Sequence, residues 1–293
     1  YVMRNKAATQ SFTAGYDLHD KTALTWDDIR KVGAFITPAD SALRNYTSFI
    51  RQAAKADLVP TLNPELQIAM QVYSALTALG CLYQSDPKAP FSFAQGNPVY
   101  TDSISIPRDT LKRITGDCDD LTVLYCSLLE TVGVDTAYVT TPGHIYAAIN
   151  TKAAPQDYRD VHPDRSMMII VNDELWVPVE ITMIGTQDFL TAWRTGAEEY
   201  LAHESEPEAR AITITREAQQ VYRPVVLTET ALGVQYGIPR AAIVKGFTAS
   251  AGRLVDTILD ASDGAAKESK HQKRYNTLGI DRKSTRLNSP HRP

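Results

Sequence analysis

Cysteine is scarce in this chain, three in 293 residues, and no two stand in Cys-x-x-Cys spacing. A disulfide framework is therefore excluded, and without a His-Glu-x-x-His motif no zinc site is argued by spacing. No run of about 18 apolar residues occurs, so no transmembrane helix is expected. Positive charge is not in excess: 30 Lys and Arg face 34 Asp and Glu, a net charge of −4. With no basic patch interleaved with aromatics, nucleic acid is not an expected partner. What remains, 43% hydrophobic and 22% charged, is an ordinary folding composition, enough for about two domains of roughly 150 residues.

The most informative segment is Gly116-Asp117-Cys118-Asp119-Asp120-Leu121. Leu121, Leu124, Tyr125, Leu128, Leu129 and Val132 recur at amphipathic-helix spacing, with Gly133 at the stop. Cys118 is thereby placed in a first turn, where unpaired N–H groups and the helix dipole favour thiolate. Asp117, Asp119 and Asp120 suit a helix start but oppose a thiolate if they face it, so at least one is expected to turn away and brace the turn. Cys81, in an apolar run, and Cys126, within the helix, read as small buried apolar residues.

After Gly133, residues 134–140 are β-branched and aromatic, Pro142-Gly143 breaks the run, and residues 144–149 resume it. His144 opens this second strand and shares a face with Tyr146 and Ala148; Ile145, Ala147 and Ile149 take the other. His19, His162, His203, His271 and His291 lie among charged or turn-forming neighbours and read as solvated. Residues 167–171, the turn Asn172-Asp173 and residues 175–177 read as a hairpin whose return strand runs on to Glu180. A carboxylate there could hold the tautomer of His144 that leaves its other nitrogen free to take a proton from sulfur.

The remaining organisation is a short helix at 29–35, longer helices at 41–56 and 64–82, loop at 86–98, a helix at 189–203, a strand at 211–215 and a helix at 241–259. Leu66, Ile68, Ala69, Val72, Tyr73, Leu76 and Leu79 supply the core face of the 64–82 helix.

Gly-Asp-Cys at a helix start, a long helix ending in Val-Gly-Val, a Gly-His strand, and Trp176 followed four residues later by Glu180 resemble the transglutaminase-like superfamily of papain-type cysteine enzymes. The resemblance spans about 66–200 and is strongest from Ile106-Pro107-Arg108-Asp109 through Leu129, which looks like bacterial transglutaminase-like cysteine peptidase domains. It implies an α+β fold, a helical lobe packed on an antiparallel sheet. Carried over by position, Cys118 is the nucleophile, His144 the base and Glu180 the orienting acid, where the family usually has Asp. Its oxyanion donor is usually an aromatic or amide side chain upstream of the cysteine, which leaves Gln71, Tyr73, Tyr83 and Tyr100 open. The implied activity is acyl transfer on amides, most simply hydrolysis of a peptide or protein, with acyl exchange to an amine as a variant. No cofactor is required, and the calcium dependence of some animal transglutaminases does not carry over, because no ligand loop of alternating acids is present. Such domains also serve as non-catalytic binding or scaffold modules, and the bacterial periplasm or cell envelope is the implied setting.

Outside the core, residues 7–18 resemble the last strand of a preceding β-sandwich, so 1–22 reads as a remnant of a β-rich domain and 23–225 as the transglutaminase-like domain. Residues 226–280 read as a helical segment. Arg274-Tyr275-Asn276-Thr277-Leu278-Gly279-Ile280 matches the first turn of a tetratricopeptide helix, and flanking repeats of that kind would supply protein partners. Residues 281–293 turn basic and aperiodic; Lys283 to Ser289 resembles translated sequencing-adapter sequence, and the tail is read as non-native.

Overall fold

The computed structural model describes residues 2–5, 8–11, 13–15, 19–85, 101–227 and 238–277. The strands are β1 (Val2–Asn5), β2 (Ala8–Ser11), β3 (Ala23–Thr25), β4 (Leu82–Tyr83), β5 (Thr101–Ser103), β6 (Thr115–Gly116), β7 (Thr136–Thr141), β8 (His144–Asn150), β9 (Ile169–Val171), β10 (Glu174–Val179) and β11 (Ala211–Ile214). The α-helices are α1 (Ser41–Ala54), α2 (Pro64–Leu79), α3 (Pro107–Arg113), α4 (Cys118–Glu130), α5 (Phe189–Ala202), α6 (Thr215–Val221) and α7 (Arg240–Thr277). The fold mixes helix with an antiparallel sheet, as an α+β protein does.

Helix α4 is the axis. Its periodicity predicts an amphipathic helix, yet every residue from Cys118 to Leu129 is buried. The polar positions that mimic a solvent face are bonded internally: Thr122 Oγ1 donates to the Cys118 carbonyl at 2.6 Å, and Ser127 Oγ accepts from the Thr37 N–H at 2.9 Å. A helix buried all round needs partners on every side. Helices α1 and α2 cover one flank, and α7 packs on those two from outside, its Ile243, Phe247, Ala251 and Leu254 joining the same core as Leu121 and Leu128.

The other flank is a five-stranded antiparallel sheet in the order β11-β7-β8-β10-β9. Alternation divides β8 as expected. Ile145, Ala147 and Ile149 belong to the core with α4, whereas Tyr146 and Ala148 form a second cluster with Trp176 and Ile169, on which Tyr200 of α5 packs. The β9–β10 hairpin turns on Asn172 and Asp173, both at positive φ (51° and 59°), the two-residue turn whose twist matches antiparallel strands.

Several boundaries differ from the sequence expectation. Helix α2 stops at Leu79, because Gly80 adopts φ 86° and caps it. Leu82 and Tyr83 then pair in parallel with Thr115 and Gly116 instead of extending the helix. Helix α1 ends at Ala54 and tightens into a 3-10 turn at Lys55–Asp57. Helix α7 runs to Thr277, past Leu259 where its apolar stripe fades. Helices α3 and α6, seven residues each, are too short for periodicity to reveal. His162 is half-buried against the Trp193 ring, 5.3 Å between centroids, rather than solvated. Residues 86–100, including the expected loop and Tyr100, lie outside the described residues, as do 278–293.

Leu124→Ala should leave a cavity at a fully buried position of α4 and cost about 2–5 kcal/mol. A urea titration with a lower midpoint and an unchanged slope checks this; an unchanged midpoint would contradict the packing described.

Candidate active site

The site begins with a close approach of backbone. Gly116 precedes α4 with so little room that an added Cβ would stand 2.6 Å from the Asp120 Cβ and 3.2 Å from a Thr110 methyl. Only glycine fits there, and the chain can then turn directly into the helix. Asp117 is the N-cap, its side chain accepting the Asp120 N–H at 3.3 Å. Asp120 turns away, as expected of at least one of the three acids: it accepts the Ser105 N–H at 2.6 Å and meets Arg113 at 3.2 Å. Burial, and then Asp117, outweigh these contacts and push its carboxyl up to about 6.

Asp119 is the surprise, since an acid at a helix start is ordinarily solvated. It is fully buried, one oxygen accepts the Asp120 N–H at 2.7 Å, and the other meets no donor among the described residues. Burial, then the neighbouring Asp117, push its carboxyl well above the usual range. The neutral acid resolves the orphan oxygen, because its O–H can be donated to Asp117. Oxygens of Asp117, Asp119 and Asp120 lie within 4.8 Å of one another, the spacing at which three carboxylates could share a cation. Their commitments to the helix cap, Ser105 and Arg113 already account for most of these oxygens.

Cys118 is 7% exposed, whereas Cys81 and Cys126 are fully buried, with thiols that burial pushes up to about 12. Of the three cysteines, Cys118 alone keeps any exposed surface. Its thiol too is pushed well above the ordinary value, by burial first and then by the charges of Asp119 and Asp117; the backbone N–H groups of Ile145 and Asp119 act on the sulfur in the opposite direction. The helix N-terminus alone therefore does not produce a thiolate here, since desolvation is the larger effect.

His144 opens β8 with a quarter of its side chain exposed, and its Nε2 meets Glu180 Oε2 at 2.6 Å. Glu180 follows β10 directly. In the register that pairs Pro178 with Ala148 and Val179 with Ala147, Glu180 falls opposite Tyr146, so its carboxylate reaches His144 diagonally. The long arm that distinguishes Glu from Asp spans that diagonal. Its other oxygen is fixed by the Thr182 N–H at 3.1 Å and the Thr182 hydroxyl. Helix α5 supports it from behind: an added Cβ at Gly196 would meet the Glu180 nitrogen and the Pro178 carbonyl at 3.1 Å. Burial disfavours both charges, but the mutual hydrogen bond and attraction prevail, so the imidazole is raised above its ordinary value and the carboxyl lowered. An ionised Glu180 accepts, so Nε2 carries the proton and Nδ1 is the nitrogen left for other chemistry.

His144 and Glu180 are thus joined directly. Cys118 meets the next residue of the same strand, through the Ile145 N–H and through Thr122, whose hydroxyl contacts both the Cys118 and Ile145 carbonyls. Among the described residues no hydrogen bond links the sulfur to the imidazole. Two of the four oxyanion candidates are placed elsewhere: Gln71 opens onto a cavity at the far end of α4, and the Tyr73 hydroxyl donates to the Gln187 carbonyl at 3.2 Å. Tyr83 stands by the site, half-exposed, its phenol raised by burial and then by the charge of Cys118. Thr182, Gly196 and the burial of Asp119 carry no sequence signal, because each matters only through a contact distant in the chain.

Comparison with protein-family models, curated proteins and solved structures finds no match to this chain.

Asp119→Asn tests the neutral acid. A carboxyl whose folded-state pKa is raised costs nothing below its unfolded value near 3.9, and costs stability increasingly as pH climbs from there toward the folded value. Asparagine keeps a donor toward Asp117 with no proton to bind. The variant should melt increasingly above wild type from about pH 4 toward neutrality; a difference independent of pH would show that Asp119 is ionised.

Proposed function

We propose that the protein catalyses thiol-dependent acyl transfer on amides, most simply peptide-bond hydrolysis, on a papain-like, transglutaminase-like core. The observation that carries this reading is the 2.6 Å bond from His144 Nε2 to the buried carboxylate of Glu180, one strand position from the N–H that meets the Cys118 sulfur. An imidazole oriented by a buried acid, with its second nitrogen free, beside a cysteine at a helix start is the arrangement of nucleophile, base and orienter.

Because burial keeps the resting thiol protonated, His144 acts as a general base. Nδ1 takes the Sγ proton as sulfur adds to the amide carbonyl, a contact that tightens when substrate binds. The C–N bond then breaks, and the proton passes from His144 to the departing amine. Water, deprotonated by the same nitrogen, releases the acid and restores the thiol; an amine in place of water completes transamidation. Tyr83, kept protonated by its raised phenol, is the donor best placed for the oxyanion.

A second reading, a non-catalytic binding or scaffold module, is favoured by one observation: the sulfur is nearly buried and its thiol raised. Alkylation of Cys118 against pH separates the two. For the enzyme, wild type should react faster than His144→Ala around neutral pH, with Cys81 and Cys126 silent in the folded protein. Coincident curves that rise only in the alkaline range of a free thiol, about 8.5 or higher, would leave the scaffold.

With an amide substrate, kcat/KM should rise with pH through the pKa of His144, which Glu180 holds above 6.5. Removing the carboxylate charge lowers that pKa, so Glu180→Gln should move the limb to lower pH while cutting the plateau by about 10⁴-fold, less than the loss in Cys118→Ala. Glu180→Asp, too short for the diagonal, should fall with Glu180→Gln; a limb that stays in place in both variants sinks the assignment of Glu180.

A further inference from the structure

At the opposite end of α4 from Cys118 lies a cavity of about 460 Å³, within the roughly 300–1,000 Å³ of small-molecule sites. Thirteen helical residues at about 1.5 Å each put it ~20 Å from the sulfur. Arg44, Arg51 and Lys55 of the α1 side and Gln71 of α2 line it, with Leu58 and Ile68 as an apolar wall. No acidic residue lines it, and among the described residues none of the three cations forms an ion pair or a side-chain hydrogen bond.

A solvated helix face would account for the cations alone, and Arg51, in the last turn of α1, also offsets that helix's dipole. Gln71 is not accounted for so easily. It is 2% exposed, yet its amide meets no partner among the described residues. One turn earlier on the same helix, the buried amide of Gln67 is fully engaged with Val59 and Leu62. The little surface it keeps is at the amide, which opens into the cavity instead of being sealed among apolar side chains, so a ligand's oxygens can take the place of water there. The C-terminal ends of α1 and α4 weigh against an anion, by about half a charge each, which three full positive charges outweigh.

We infer that this cavity binds a small organic anion, its carboxylate or phosphate oxygens held by Arg44, Arg51, Lys55 and the Gln71 amide, its apolar part against Leu58 and Ile68. Nothing in this inference depends on the chemistry of Cys118. Calorimetric titration of the full chain at low ionic strength with inorganic phosphate, butyl phosphate and pentanoate tests it. At least one alkyl anion should bind more tightly than inorganic phosphate, and the tighter of the two names the head group. Arg51→Gln, a surface change that leaves folding intact, should weaken binding about tenfold, the scale of one charge-assisted hydrogen bond. Gln71→Leu, of similar volume, should weaken it as well while holding or raising the melting temperature. If no alkyl anion binds wild type, or if binding is the same in both variants, the cavity is not an anion site.

Discussion

Everything in this molecule depends on burying one helix completely. Because α4 has no solvent face, its polar atoms must be satisfied from within, and Thr122, Ser127 and the three aspartates each have a role in doing so. That requirement places α1 and α2 on one flank, with α7 outside them, and the sheet on the other. It also places the first turn of α4 against the strand that begins with His144. The site is where the central helix enters the interior, and its chemistry inherits the low dielectric of that position.

Low dielectric sets which group carries charge. The Glu180 carboxyl is lowered because His144 and Thr182 satisfy its charged form; Asp119 and Cys118, with weaker compensation, are raised well above their ordinary values, their charged forms disfavoured by burial. A strong hydrogen bond thus coexists with a protonated thiol a few residues away. In the proposed reaction the imidazole, not the helix dipole, generates the nucleophile.

The legible part of the molecule was local. A helix start at Cys118, a strand opening at His144, a two-residue turn at Asn172-Asp173 and a strand end at Glu180 are all written in patterns a few residues long, and from them the triad candidates could be named. What could not be read depends on partners far along the chain. Thr122 and Ser127 look like a solvent face until the backbone they bond is known. Leu82 and Tyr83 look like the end of a helix until Thr115 and Gly116 lie beside them. Asp119 looks like an exposed first-turn acid, and only the burial of the whole helix makes it a neutral one. The seven residues of α3 are too few for a period to emerge.

The pairing of α7 with α2 bears on how the chain reaches this state. Gly246 of α7 seats closely on Ser74 of α2, and at the start of α7 Arg240 donates to the Ala53 carbonyl of α1 across 187 positions. Much of the sheet, by contrast, pairs near neighbours: β7 meets β8, and β9 meets β10, across two-residue turns, and β10 then lies against β8. Loop closure favours the near contacts first. During synthesis the His144–Glu180 half can therefore assemble while the outer flank of α2 is still bare, and the helical lobe closes only when α7 has emerged. In that interval the apolar face of α2 that α7 later covers stays open to solvent.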